Sequence, residues 1–265
     1  MSLFEALILG AVQGVTEFLP VSSSGHLVLL QKIFGIKESA LLFDTLVHGG
    51  TLAAVFIVLW KDIWDILKRP IQPVTGYLII ATIPAVVFAL AFKDAIEGAF
   101  ESGAFLGFAF LFTSALLILP ELLAKRPGGK GAKQEMRWPD SLVIGLLQGI
   151  AIIPGVSRSG ATLSGALSRK LDRDFAARFS FLLSIPAILG ALVLQLKDLP
   201  EQAGAATGGP GAAVLLAGTL TAAAVGFISV KAMLRIVRKY SLRGFALYTA
   251  VLGILVLIMQ YLGKF

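Results

Sequence analysis

The stretch GAVQGVTEFLPVSSSGH at residues 10–26 decides the fold, because a later stretch of the chain repeats it. The second stretch, GLLQGIAIIPGVSRSGA, covers residues 145–161 and is displaced by 135 positions. Each copy is an apolar segment, a proline-containing break, a serine-rich turn and another short apolar segment. Seven of the first sixteen positions are identical: Gly10/Gly145, Gln13/Gln148, Gly14/Gly149, Val21/Val156, Ser22/Ser157, Ser24/Ser159 and Gly25/Gly160. The chain is therefore predicted to consist of two related halves.

The composition indicates an integral membrane protein. Of the 265 residues, 57% are hydrophobic and 15% are charged, and the mean hydropathy is +0.86. Soluble domains contain about 25% charged residues. The length allows about six spans of roughly 20 residues each. The net charge of +7 is interpreted as basic cytoplasmic loops, so no nucleic-acid partner is predicted, and the lack of cysteine excludes thiol chemistry.

The repeated stretches are predicted to form two re-entrant helical hairpins. The apolar pieces at residues 2–18 and 25–34 are each too short to cross a hydrocarbon core of about 30 Å comfortably. A break at membrane depth is tolerated only where protein or a cavity surrounds it. The second hairpin is predicted at residues 139–153 and 159–170. The alternative is a single kinked spanning helix.

Six further apolar segments are predicted to span the membrane. They cover residues 43–60, 74–92, 103–123, 175–196, 212–230 and 244–262. The connections at residues 62–73, 93–102 and 197–210 are predicted to be loops. The fold class is thus an all-α polytopic membrane protein with about six transmembrane helices and two re-entrant hairpins.

The distribution of basic residues predicts the orientation. One side of the predicted topology contains 17 of the 23 lysines and arginines, and this side is expected to be cytoplasmic. Residues 124–138 form a cytoplasmic linker between a first repeat at 1–123 and a second at 139–265, within a single membrane domain at 1–265. Three spans in each repeat invert the second repeat relative to the first, which brings the broken helices together near the midplane.

The serine-rich turns are typical of an anion site. Each turn precedes a short helix, whose N-terminal N–H groups and partial positive charge attract anions. The guanidinium of Arg158 suits phosphate because it offers a planar fork of donors. Further hydroxyl donors are Ser22, Ser23, Ser24, Ser157, Ser159 and Thr162. The alternative is that these hydroxyls allow close helix packing or bond to backbone carbonyls.

Glu17 and Gln13 are candidate ligands of a divalent cation. They are four residues apart and share one helix face. Carboxylate, amide and carbonyl oxygens suit Mg²⁺ or Ca²⁺. The alternative is a Glu17 carboxylate paired only with Arg158. Zinc is not predicted, because the sequence has no His/Cys cluster.

The nucleophile has three candidates, namely Ser23, His26 and a metal-bound water. His26 follows Ser23 by about one helical turn and can act as acid, base or nucleophile. The favoured arrangement is attack by Ser23 with His26 accepting the proton. His48, with Asp44 nearby, is a weaker candidate whose alternative role is a supporting hydrogen bond.

The segments QGVTEFLPVSSSGH and PGVSRSGAT resemble the two signatures of the undecaprenyl-pyrophosphate phosphatases, the bacitracin-resistance family, and the likeness covers essentially the whole chain. It implies a divalent-cation-dependent bacterial inner-membrane enzyme with its site opening toward the periplasm. The reaction converts undecaprenyl pyrophosphate into undecaprenyl phosphate, the lipid carrier for cell-wall polymers. A homodimer is one candidate for the assembly of the protein.

The family motifs map onto the residues singled out above. The acidic motif corresponds to Gln13 and Glu17. Because Gln13 stands where some members have glutamate, Glu17 is the single carboxylate of the pair. The implied catalytic residues are Glu17, Ser23, His26 and Arg158. The implied substrate-binding positions are Ser22, Ser24, Gly25, Ser157, Ser159, Gly160 and Thr162.

A transporter is the alternative function. Inverted repeats with broken helices are typical of carriers, here a flippase for a phosphorylated polyprenyl lipid. The Ser23 and His26 pair favours the phosphatase, because a carrier does not need it. A purely structural membrane protein is a third reading, and the ionisable residues inside the apolar segments argue against it.

Overall fold

The computed structural model describes residues 1–36, 41–123, 135–203 and 210–263, and these ranges contain helices and no β-strand. The first part of the chain forms α1 (Leu3–Thr16), α2 (Ser23–Ile33), α3 (Leu41–Val58), α4 (Trp60–Lys68), α5 (Pro73–Ala91), α6 (Lys93–Ser102) and α7 (Leu106–Leu123). The second part forms α8 (Trp138–Ile150), α9 (Arg158–Ser168), α10 (Arg173–Ala203), α11 (Ala212–Lys239) and α12 (Arg243–Tyr261). The all-α prediction is confirmed.

Six of these helices are long and apolar enough to cross a membrane, as predicted. They are α3, α5, α7, α10, α11 and α12. The protein is a multi-pass membrane protein. Many large apolar side chains on these helices are exposed, for example Ile79 on α5 and Leu247 on α12. Such exposure is favourable only in contact with lipid.

Three predicted loops are wrong. Residues 62–73 contain most of α4, residues 93–102 form α6, and α10 continues through the predicted loop at 197–210 as far as Ala203. In α4 the apolar residues Trp60, Ile63, Trp64 and Leu67 recur every three or four positions, so the segment is an amphipathic helix despite its charges. α6 ends at Gly103, whose φ of 62° is the left-handed conformation of a helix C-terminus. Most of the predicted linker lies outside the described residues.

The two repeated stretches each form a pair of short helices separated by a non-helical break. The first break covers residues 17–22, between α1 and α2, and the second covers residues 151–157, between α8 and α9. The helices have 14 residues in α1, 11 in α2, 13 in α8 and 11 in α9. At 1.5 Å per residue the longest is about 21 Å, shorter than a hydrocarbon core of about 30 Å. The two breaks contact each other: the Gly155 N–H donates to Ser24 Oγ at 3.3 Å, and the Ser159 hydroxyl donates to the Leu19 carbonyl at 3.0 Å.

Matching helices of the two halves pack in matching ways. α1 packs on α11, and its repeat mate α8 packs on α5. Two equivalent glycines allow these close approaches. A Cβ at Gly10 would lie 2.3 Å from the Gly218 carbonyl oxygen, and a Cβ at Gly145 would lie 2.6 Å from the Ala81 carbonyl oxygen. Any larger residue at either position would push the paired helices apart.

Candidate active site

The carboxylate of Glu17 is the centre of the site. Glu17 follows α1 directly, in the first break, and only 6% of it is exposed. Its Oε2 accepts hydrogen bonds from the Ser23 hydroxyl at 2.5 Å and from Gln13 Nε2 at 3.0 Å. Its Oε1 accepts from Arg158 Nη2 at 2.6 Å. The first break thus meets the second break through one buried carboxylate.

Arg158 comes from the other half of the chain. It is the first residue of α9, at the end of the second break. Its Nη2 donates to Glu17, while its Nη1 is buried and has no hydrogen-bond partner among the described residues. A buried donor without a partner is costly, because it has lost its water without replacement. An oxyanion beside Arg158 would supply the missing acceptor.

The other predicted hydroxyls hold the structure together. Ser22 and Ser157 cap α2 and α9, accepting from the Gly25 and Gly160 N–H groups at 3.2 and 3.0 Å. Ser24 and Ser159 join the two breaks as described above. The Thr162 and Ser180 hydroxyls bond to each other at 2.6 Å. These five hydroxyls therefore cap helices or hydrogen-bond to neighbouring segments: Ser22, Ser24, Ser157, Ser159 and Thr162. Among the predicted hydroxyls, Ser23 is the one that donates to Glu17.

His26 does not contact Ser23, contrary to the favoured arrangement. Its Nδ1 lies 2.6 Å from the Ser22 carbonyl oxygen, which can only accept, so Nδ1 donates. Its Nε2 lies 2.7 Å from the Tyr248 hydroxyl, and the two rings stack at 5.8 Å. Ser22 itself has the unusual φ of 71° for a residue other than glycine. The hydrogen-bond acceptor beside Ser23 is Glu17 instead.

Three side chains besides Glu17 bear on a cation site: Gln13, His48 and Asp44. Gln13 is fully buried, and its Oε1 has no hydrogen-bond partner among the described residues. His48 on α3 places its Nε2 3.8 Å from Glu17 Oε2. Asp44 turns its carboxylate away to Gln31 Nε2, at 2.8 Å. No group of three His, Cys, Asp or Glu suited to a metal occurs in the described ranges.

The oxygen ligands present fit a hard divalent cation that obtains most of its ligands from water and substrate rather than from the protein. Mg²⁺ is usually bound through one or two carboxylates and completes its shell with water and substrate phosphates. Glu17 offers one carboxylate, and the partnerless Gln13 Oε1 offers one buried amide oxygen. Glu17 and Gln13 would therefore hold the ion, with the remaining positions left for an anionic substrate.

Sequence reasoning missed three residues that support the site. Tyr248 on α12 binds His26 from 222 positions away. Thr113 on α7 accepts from the Ser157 N–H at 3.0 Å, and Ser180 on α10 binds Thr162. Each of the three is a polar residue within a long apolar helix. The only sequence signal for them is that polar residues are uncommon in such helices.

The arrangement combines three chemical capacities. A hydroxyl is hydrogen-bonded to a buried carboxylate, which is the geometry of a nucleophile beside its proton acceptor. An unpaired guanidinium donor and two helix N-termini offer positive charge for an oxyanion. All of these groups lie between apolar helices that are long enough to span a membrane.

Comparison with known proteins places these residues in a family context. The sequence profile described as "Bacitracin resistance protein BacA" matches residues 6–255. The chain is 48% identical to the "Undecaprenyl-diphosphatase" of Carboxydothermus hydrogenoformans and 43% identical to "Undecaprenyl-diphosphatase 3" of Bacillus cereus, in both cases over the full length of both proteins. It is 40% identical to the "Undecaprenyl-diphosphatase" of Methanosphaera stadtmanae, covering 98% of this chain and 99% of the other.

Proposed function

This chain belongs to the bacitracin resistance protein BacA family, and from that premise we propose how Glu17, Ser23 and Arg158 act when it hydrolyses undecaprenyl pyrophosphate. The enzyme is a polyprenyl-pyrophosphate phosphatase whose products are undecaprenyl phosphate and inorganic phosphate. The observation that supports the proposed roles is a single buried carboxylate that binds both the Ser23 hydroxyl and the Arg158 guanidinium.

The pyrophosphate binds where the two breaks meet. Arg158 Nη1, which has no protein partner in the described residues, donates to a phosphate oxygen. The N-termini of α2 and α9 add partial positive charge. The polyprenyl chain stays in the bilayer, because its burial in an apolar phase is favourable. The site thus holds a charged headgroup below the headgroup level of the membrane.

Ser23 is the proposed nucleophile. Its oxygen forms a bond to the terminal phosphorus, and the bond from that phosphorus to the bridging oxygen breaks. Undecaprenyl phosphate departs with the bridging oxygen, while the serine proton passes to Glu17 Oε2, 2.5 Å away. Water then attacks the phosphoserine, the bond from phosphorus to the serine oxygen breaks, inorganic phosphate leaves, and the proton on Glu17 returns to the serine oxygen. Arg158 stabilises the negative charge on the phosphoryl oxygens.

His26 is the alternative nucleophile. Attack by its Nε2 requires that the hydrogen bond to Tyr248 first break. In the described geometry His26 instead orders the first turn of α2, through its bond to the Ser22 carbonyl.

A divalent cation, Mg²⁺ or Ca²⁺, is the proposed cofactor. Glu17 and Gln13 would hold it. When bound, it neutralises pyrophosphate charge and acts as a Lewis acid. Its positive charge would complement the site, because the Glu17 carboxylate and the Arg158 guanidinium nearly cancel each other.

We further propose that the two halves are inverted repeats containing re-entrant hairpins. Reciprocal contacts support this: α1 packs on α11 as α8 packs on α5, and Ser24 and its repeat mate Ser159 each bind the opposite break. From the basic loops we also infer that α4 lies on the cytoplasmic side of a bacterial inner membrane and that the site opens toward the periplasm. A homodimer stays a prediction.

Cysteine labelling tests the orientation, and the chain's lack of cysteine makes each single substitution unambiguous. Ile71 lies fully exposed between α4 and α5, and Ala104 lies exposed between α6 and α7. In intact cells an impermeant maleimide should label Ala104→Cys, and it should label Ile71→Cys only after the membrane is permeabilised. The reverse pattern would refute the proposed orientation.

The function itself is tested with purified protein in detergent. We expect phosphate release from undecaprenyl pyrophosphate, and a chelator should abolish it while added Mg²⁺ or Ca²⁺ restores it. Transport of the lipid by protein reconstituted into liposomes, without phosphate release in either preparation, would instead identify a flippase. Flipping is not favoured, because the relatives are named for the diphosphatase activity and a serine hydroxyl lies on the central carboxylate.

A further inference from the structure

The ring of His48 is fixed in one orientation beside the site. Its Nδ1 lies 2.7 Å from the backbone carbonyl oxygen of Asp44, one turn earlier on α3. A carbonyl oxygen only accepts, so Nδ1 donates, and in the neutral imidazole it holds the single ring proton. The other nitrogen, Nε2, therefore has a free lone pair, which is the form in which histidine binds metals.

This lone pair faces a carboxylate. Nε2 lies 3.8 Å from Glu17 Oε2, too far for a hydrogen bond. With a neutral ring, the lone pair and the carboxylate oxygen repel each other unless a cation lies between them, whereas a protonated ring would pair with Glu17 directly. Two neighbouring ligands of one octahedral ion lie about 3 Å apart for Mg²⁺ and about 3.4 Å for Ca²⁺, given their bond lengths. The 3.8 Å gap would close on an ion with a shift of less than about 1 Å.

A second observation points to the same place. Gln13 donates through Nε2 to Glu17 Oε2, while its Oε1 is fully buried without a partner in the described ranges. Rotating the amide by half a turn would bring Oε1 toward that carboxylate oxygen. Two oxygens then face each other and the imidazole nitrogen, an arrangement that a cation would stabilise.

We propose that His48 Nε2 is the nitrogen ligand of the divalent cation, together with Glu17 and Gln13. The inference rests on the proposed cation and adds a ligand that neither repeated motif contains. An imidazole ligand changes the selectivity of the site. Oxygen ligands alone suit Mg²⁺, Ca²⁺ and Mn²⁺, whereas an imidazole nitrogen is a better ligand for first-row transition metals, of which Mn²⁺ is the weakest binder, than for Ca²⁺. Mn²⁺ should therefore bind more tightly than Ca²⁺.

The chain offers a clean spectroscopic test because it contains only two histidines, His26 and His48. Protein purified with a histidine-free tag is loaded with Mn²⁺, and pulsed EPR is used to detect ¹⁴N of a coordinated imidazole. We expect this coupling in the wild type and also in His26→Gln. The His26 ring is not expected to bind the ion, because its two nitrogens are hydrogen-bonded to Ser22 and Tyr248. In His48→Gln and His48→Ala the coupling should disappear, and the Kd for Mn²⁺ should rise about tenfold or more.

The possible outcomes distinguish the proposal that His48 is a ligand from the proposal that the enzyme uses a divalent cation. Persistent ¹⁴N coupling in monodisperse His48→Gln or His48→Ala would overturn the proposal, as would bound Mn²⁺ without imidazole coupling in the wild type. Equal affinities of wild type and His48 variants for Mn²⁺ would also overturn it. If the wild type binds no Mn²⁺ but releases phosphate in the presence of chelator, the cofactor itself is refuted while the phosphatase activity stands.

Discussion

Arg158→Lys is expected to fold normally and to lose turnover by about 10²–10³-fold, the cost of removing one preorganised transition-state donor. Arg158 uses one nitrogen for Glu17 at 2.6 Å and keeps Nη1 free for the substrate. Lysine keeps the positive charge but has one compact ammonium group, which cannot bind Glu17 and a phosphate oxygen with the same fork. The loss should therefore appear mainly in kcat.

The measurement is phosphate release by purified protein at saturating substrate. Arg169→Lys is the matched control, since Arg169 follows the same helix α9 and bonds to Asp140 at 2.7 Å, outside the site. It should keep activity close to that of the wild type. Nearly normal kcat in Arg158→Lys would remove Arg158 from the phosphate site.

Glu17→Gln is expected to be the most damaging single substitution. Glutamine keeps the shape of the side chain but removes the proton acceptor of Ser23, a role that contributes about 10²–10⁴-fold in rate. It also removes the charge partner of the mostly buried Arg158. Breaking a buried ion pair on one side costs about 3–5 kcal/mol of stability. We therefore expect both lower activity and a lower melting temperature.

Metal titration separates these effects. Any residual activity of Glu17→Gln should require more Mg²⁺ than the wild type, because one candidate ligand has lost its charge. Glu5→Gln is a suitable control, since Glu5 caps the start of α1 and glutamine can serve in the same capping box. A monodisperse Glu17→Gln with full activity and unchanged metal dependence would exclude Glu17 from both roles.

Much of the site follows from the sequence because its elements are local. Leu19-Pro20 and the serines predict the first break, since proline cannot continue a helix and serine caps the next one. Glu17 and Arg158 stand out because ionisable groups inside apolar segments require partners. Their contact links residues 141 positions apart, and the repeat predicts it only because it places both breaks at the midplane.

The remaining features depend on rotamers and long-range packing. The spacing of Ser23 and His26 predicts that they face each other, but His26 turns to the Ser22 carbonyl and to Tyr248. No local pattern indicates that a tyrosine on α12 lies there. Helix α4 differs from the predicted loop for another reason. Its many charged residues are typical of a loop, and only the helical spacing of Trp60, Ile63 and Trp64 indicates an amphipathic helix.

The most direct test of the mechanism uses substrate labelled in its terminal phosphate, mixed with enzyme and quenched with acid within milliseconds. The account predicts a covalent label that survives acid, is released by base, maps to Ser23 and is absent from Ser23→Ala. An acid-labile label on His26 would contradict it and identify the histidine as nucleophile. The absence of any covalent label, together with substantial activity in Ser23→Ala, would contradict it as well and indicate direct attack by water.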